Sequence, residues 1–329
     1  MSPFYPRPAR YYARMTSQPR LVLAGGSGFL GRAVARHFAA LGWDVLTVSR
    51  SPSAVPMPGR WERWDGLRQG EWSREIDGAA AVLNLAGRTV NCPYNAQNML
   101  DIYTSRLDTT RALGTAIRDA ATPPPVWLNS STGTIYRSAQ TPQTEAVGEI
   151  GDGFSVDVGQ RWEAALMEGE LPHTRRVALR TAMVYGLGAD GVMATTDPLM
   201  RLGLGGPMAG GAQYVSWIHE RDFCRAVEFL IGNDLSGPVN LSAPHPLPNR
   251  DFLRAYRHAW GMPLGIPSTA GLIGLGARVM NSEAELLLKS RYAVPERLLK
   301  AGFQFEFPAW PGAIAALVAE VREVGHAAR

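Results

Sequence analysis

From residue 20 onward, apolar and polar positions fall in blocks that predict a repeating strand–helix–strand order. Leu21, Val22 and Leu23 form a short run of strand-formers. The next apolar positions, Leu30, Val34, Phe38 and Leu41, recur at three- and four-residue spacing, which puts them on one face of a helix. Gly42 stops that helix, and residues 44–49 (DVLTVS) read as a second strand. Three glycines, Gly25, Gly28 and Gly31, fill the junction between the first strand and the helix.

Similar blocks continue. Residues 61–64 read as a short third strand. Ala80 to Gly87 is apolar except for Asn84, as expected of a strand buried on both faces, and it ends in a glycine turn. A long helix is expected from Ala96 to Ala120, ended by Pro123–Pro125, and strands follow at Val126 and at Arg176–Arg180. This order predicts an α/β fold, a Rossmann-type doubly wound parallel sheet, over residues 20–185. From about Asp190 glycines and prolines multiply. Strands at 213–218 and 238–244, helices at Glu220–Leu230 and Asn249–Trp260, and a tail of helices and a turn from Ala293 to Leu317 predict a smaller α+β substrate lobe over 186–329. The chain is expected to cross back once between the lobes.

The glycine spacing suggests chemistry. Gly25 suits a tight turn, Gly28 lets a backbone approach a pyrophosphate, and Gly31 lets the helix pack on the strand. The helix N-terminus offers free amides and the positive end of a dipole, so Phe29 and Leu30 join the glycines as expected cofactor contacts. The second strand ends in Ser49 and Arg50. A site for NAD places an acid here, whereas an arginine presents a charged fork to a 2′-phosphate. NADP(H) is therefore the expected cofactor, with Arg32 a second cation in reach; the competing reading makes both arginines solvated surface groups. Asp65, after the third strand, is expected near the adenine. Leu85, Ala86 and Gly87 end the fourth strand and Ser130 the fifth, where cofactor and substrate meet in such a sheet.

Composition narrows the partners. The formal net charge is +4 with no run of like charge, so a small-molecule substrate is expected and nucleic acid is not. The two cysteines, Cys92 and Cys224, form no CxxC, which fits a reducing, cytoplasmic setting and gives no structural zinc site. No metal is expected. Residues 1–19 carry Pro, Arg and Tyr without an apolar segment; they read as a disordered tail, with Met15 an alternative start, and not as a secretory signal or membrane span.

Several spaced motifs carry a family resemblance: Gly25/Gly28/Gly31, Asn84 to Gly87 (NLAG), Ser130 to Tyr136, Ser105-Arg106-Leu107, and Trp162-Glu163. Gly205, Gly206, Gln213, Ser216–His219 and Asp222 add to them, with Gly237–Pro244 and Pro295–Phe305. From residue 20 the chain resembles the atypical extended short-chain dehydrogenase/reductases, the group described as epimerase-family or nucleoside-diphosphate-sugar epimerase-like. The resemblance implies an NADP(H)-binding oxidoreductase or epimerase-like protein with its own C-terminal family domain. It also implies that Asp222 ties down a strand–helix junction.

The wider superfamily uses a Tyr and a Lys four apart on one helix face, the lysine holding the ribose and lowering the tyrosine's pKa. Lined up on that pattern, Ser155 and Gly159 stand in those two positions. The chain has two lysines, Lys289 and Lys300, and no tyrosine is followed by lysine four residues later. Arg106 stands where the wider superfamily often has Asn, and is expected at the cofactor. Ser131 and Thr132 are the candidate catalytic hydroxyls; either they polarise a carbonyl or they cap the following turn. Arg88, Asn91 and His219 are candidate substrate contacts. Cys92 is expected near the nicotinamide, Tyr136 in packing, and Glu163 on a helix surface. Two functions stay open: an enzyme with an unusual proton donor, or a protein that binds NADP(H) without turnover.

Overall fold

The computed structural model describes residues 18–271 and 288–327; the expected tail therefore lies outside the described residues except for Gln18 and Pro19. Seven strands form one parallel sheet: β1 (Arg20–Ala24), β2 (Asp44–Ser49), β3 (Arg60–Arg63), β4 (Ala81–Asn84), β5 (Val126–Thr132), β6 (Arg175–Thr181) and β10 (Gly237–Leu241). Their order across the sheet is β10-β6-β5-β4-β1-β2-β3. Strand order reverses between β1 and β4, which opens a crevice beyond their carboxyl ends.

Helices cover both faces. On one face α1 (Phe29–Ala40) packs Val34 and Phe38 against the sheet and against Val227 and Leu230. Those two belong to α5 (Glu220–Ile231). On the other face α2 (Ala96–Asp119) and α3 (Phe154–Met167) enclose Leu113, Ile117, Trp127 and Leu166 with Val22 and Leu46. Fully burying side chains of this size contributes roughly 1.5–3 kcal/mol each.

Beyond residue 185 the chain returns once to the main sheet. β10 pairs with β6, so the sheet takes its last strand from beyond that point. Between them lie β7 (Met183–Tyr185), α4 (Val192–Arg201), β8 (Tyr214–Val215) and β9 (Trp217–His219). The single strand expected at 213–218 is split at Ser216, whose hydroxyl donates to the Arg291 carbonyl (2.7 Å) and accepts from the Ala293 amide (2.8 Å).

A separate hydrophobic core lies outside the main sheet. α6 (Asn249–Trp260) follows β11 (Leu247–Pro248), and α7 (Glu296–Lys300) and α8 (Trp310–Ala327) close the fold. Trp310 stacks on Phe252 with ring centroids 3.9 Å apart, among Tyr185, Met200, Trp217 and Leu317. Asp222 ties α5 to the segment before α8: fully buried, it accepts the Glu306 and Phe307 amides at 2.7 and 2.8 Å. Among the described residues no helix is long and apolar enough to cross a membrane.

Candidate active site at the mouth of the sheet

Each loop glycine has a separate steric reason. Gly25 has φ +74°, and a Cβ there would lie 2.6 Å from the Ala86 backbone, which comes from the turn after β4. Gly31 meets the Gly26 backbone, with a Cβ 2.3 Å from its Cα. Gly28 differs. Its nearest neighbour would be the Gly25 carbonyl oxygen at 4.0 Å, so the space in front of it is open. Gly28 is also the N-cap residue of α1 and has no side chain to cap it. The loop thus presents bare backbone and a helix N-terminus at the crevice, which fits a pyrophosphate.

At the end of β2 the Ser49 hydroxyl donates to the Ser51 carbonyl (2.7 Å) and accepts from the Trp61 indole (2.9 Å). Arg50 is exposed, and among the described residues no hydrogen bond or ion pair engages it. Arg32 is engaged: it pairs with Asp190 and donates to the Ser27 carbonyl at 2.8 Å. Without cofactor, then, Arg32 already has an acidic partner, which Arg50 lacks among the described residues. Asp65 turns its carboxylate to the Leu67 and Arg68 amides (2.8 and 2.9 Å), which hold it below the usual carboxylate range. It caps a turn.

Beyond β4, buried Asn84 donates to Asn129 (2.7 Å) and accepts from the Ala86 amide (3.0 Å), fixing the turn through Leu85 to Gly87. Against Gly87 lies the Arg106 guanidinium, whose Cζ would be 3.3 Å from a Cβ there. Arg106 donates to the Ile102 carbonyl (3.1 Å) and covers the Trp162 ring at 4.9 Å. Among the described residues no carboxylate pairs with it, and burial pushes its pKa down to about 10. A cation buried without an acid is costly unless it serves an electron-rich partner.

At the end of β5 the two candidate hydroxyls have different surroundings. Thr132 accepts from the Thr134 amide (3.1 Å) and contacts its hydroxyl, capping the short 3-10 turn that follows. Buried Ser131 donates to Glu163 at 2.6 Å. Glu163 is not the surface charge expected from its helix position. Arg180 grips it with two bonds of 2.8 Å and reaches the Tyr136 hydroxyl at 2.9 Å, which in turn donates to Asn240 (2.9 Å). Burial lowers the Arg180 pKa, but the Glu163 carboxylate more than offsets this and raises it. Tyr136 is buried as expected, and burial raises its pKa.

The α3 positions lined up with the customary tyrosine and lysine are closely packed. A Cβ on Gly159 would stand 3.0 Å from the Thr132 methyl, so α3 lies tight on the strand end. Ser155, one turn earlier, meets the Tyr94 hydroxyl at 3.4 Å.

The family model described as NAD dependent epimerase/dehydratase family matches residues 21–241. The chain belongs to that family. A second model, a domain of unknown function (DUF1731), matches residues 278–317. Epimerase family protein SDR39U1 of Mus musculus is 32% identical over 307 residues, covering 91% of this chain and all of the mouse protein. Epimerase family protein YfhF of Bacillus subtilis is 25% identical over 311 residues, covering 92% and 99%. Among solved structures, human SDR39U1 (isoform 2), crystallised with NADPH, has a TM-score of 0.81 at 29% identity, covering 91% of this chain and 99% of that one. A nucleoside-diphosphate sugar epimerase from Corynebacterium glutamicum shares the fold with TM-score 0.72 at 24% identity, covering 97% of this chain and 64% of the other.

Within this epimerase/dehydratase fold, several candidates take structural roles. His219 was expected at the substrate, but it is buried, stacked on Phe307 (4.0 Å), and caps α5 by accepting the Arg221 amide (3.0 Å). Burial, with the Arg221 charge, pushes its pKa down to about 3. Arg88 pairs with Asp101 and Asn98 and so braces α2, and Asn91 is exposed on the loop before it. Cys92 is buried with Ile102 and Val158. Tyr94 escaped the sequence reading. Its only sequence signal was its place just before Asn95, the N-cap of α2.

Proposed function

We propose that this chain is an NADP(H)-dependent oxidoreductase of epimerase-like type acting on a small molecule, in which the usual tyrosine–lysine pair is absent. The carrying observation is Arg50: a guanidinium at the end of β2, exposed and unengaged, beside a glycine loop whose Gly28 faces open space. That pairing suits an adenosine carrying a 2′-phosphate. The NADPH in the human relative's crystals supports the same cofactor. When bound, the nicotinamide supplies the hydride chemistry. The chain's residues do the rest: Gly25, Gly28, Phe29, Leu30 and Gly31 hold the pyrophosphate, Arg50 the 2′-phosphate, and the turn Leu85–Gly87, with Ser130 and Arg106, floors the nicotinamide end.

The test compares NADPH and NADH binding to the purified protein and to Arg50→Ala. The variant is expected to weaken NADPH by ~1–3 kcal/mol, roughly 5- to 150-fold, as for the loss of a charged hydrogen bond, with NADH unchanged. A parent that prefers NADH would refute the assignment. Turnover is followed by loss of NADPH absorbance with aldehydes, ketones, quinones and nucleotide sugars. A second reading, a protein that binds NADP(H) without turnover, draws on Ser155 and Gly159 in the two customary positions; tight binding with no turnover across the panel selects it.

A further inference from the structure

We propose that Tyr94 and Arg106 together replace the missing pair: Tyr94 exchanges the proton with the substrate oxygen, and Arg106 holds the charge left on its phenol. This rests on the oxidoreductase reading. The two residues come from elements that sequence alignment on α3 never compares.

Three observations converge. The Tyr94 hydroxyl lies 3.4 Å from the Ser155 hydroxyl, the position lined up with the customary tyrosine, so a phenol is present there although α3 does not carry it. Its ring is steadied edge-on by Phe154 (centroids 4.7 Å apart), and Asn95, the next residue, anchors the start of α2 by accepting the Asn98 amide at 2.8 Å. Arg106 supplies a permanent cation from α2, where Gly159 removes the lysine from α3. It lies against Gly87 at the mouth of β4, clamped by the Ile102 carbonyl and the Trp162 face, with no carboxylate to neutralise it. Tyr94 packs against the cluster of Cys92, Ile102 and Val158, and it is the Ile102 carbonyl that takes the Arg106 guanidinium.

The step balances. In carbonyl reduction Tyr94 gives its phenolic proton to the substrate oxygen while that oxygen keeps the π electrons of the C=O bond. The carbon gains a hydride from the reduced nicotinamide, which is thereby oxidised. The Tyr94 phenolate, held by Arg106, recovers a proton from solvent. Alcohol oxidation runs the same transfers in reverse.

Two measurements decide it. Tyr94→Phe is expected to keep NADPH affinity within about twofold while turnover falls by roughly 100-fold or more, the range for losing a general acid. Without cofactor, the ultraviolet difference between the protein and its Tyr94→Phe variant isolates the Tyr94 titration. In the Arg106→Met background that titration is expected at higher pH, because a lost cation no longer stabilises the phenolate. Arg106→Lys, which keeps the charge, is expected to restore the lower titration and separates charge from packing. Parental turnover in Tyr94→Phe, or a Tyr94 titration indifferent to Arg106→Met, overturns the proposal. A parent that binds NADPH but reduces nothing brings down the oxidoreductase reading instead, and the proton-donor role with it.

Discussion

One methyl group added at two places in the glycine loop separates its two duties. At Gly28 an added Cβ meets nothing closer than 4.0 Å, so Gly28→Ala is expected to fold, losing at most about 1 kcal/mol as a poorer N-cap. It is expected to lose most NADPH affinity, because the methyl stands where a pyrophosphate would lie. At Gly31 the same methyl enters the Gly26 backbone at 2.3 Å, and overpacking of this kind costs typically about 1–3 kcal/mol. Denaturant unfolding with and without NADPH checks both. Equal destabilisation by the two substitutions would mean that Gly28 is a packing residue. The spacing of these glycines was legible because strand, turn and helix are neighbours in sequence. Glu163 was not legible. What makes it a half-buried ion-pair member is Arg180, on a strand whose position only the folded sheet fixes.

Elements meet in ways the periodicity does not encode. The strand and helix blocks of the sheet were readable, since alternation and three-to-four spacing are local properties. The loop after β7 was not. It crosses to α1, where Gly188 lies against the Phe29 ring and Asp190 pairs with Arg32, 158 residues away in sequence. Burial would raise the Asp190 pKa, but Arg32, with a smaller contribution from the Phe29 amide, brings it below the usual range. A carboxylate so close to a helix N-terminus is favourable there, and it repels a second anion at the same place. Asp190→Asn is therefore expected to bind NADPH about 2- to 5-fold more tightly, the equivalent of ~0.5–1 kcal/mol, and to unfold slightly more easily without cofactor. Weaker NADPH binding in the variant would show that Asp190 serves chiefly to hold the loop in place.

At the scale of the whole molecule, one seam between distant stretches of chain is built where α5 begins. Asp222 receives two amides from the segment before α8, and His219, one turn earlier in the chain, stacks on Phe307 of that same segment. The seam depends on pH. His219 accepts the Arg221 amide through Nδ1, while its other ring nitrogen is buried without a partner among the described residues. Protonation would set donor against donor, and burial with the Arg221 charge already brings the pKa to about 3. An unfolded histidine titrates near ~6.5. Between those values the unfolded chain holds a proton that the folded one rejects, so stability falls as pH drops through that window, by up to about 1.4 kcal/mol per unit. Above the unfolded value the group contributes no slope. Glu220, whose carboxyl burial raises, acts in the opposite sense at lower pH, since the folded chain then takes its proton more readily. Denaturant unfolding is expected to show a loss of about 2 kcal/mol attributable to His219 between pH 7 and pH 5. His219→Asn keeps an oxygen to cap α5 but cannot titrate, so its stability is expected to change less over the same range. An identical loss in both proteins would place the acid sensitivity elsewhere.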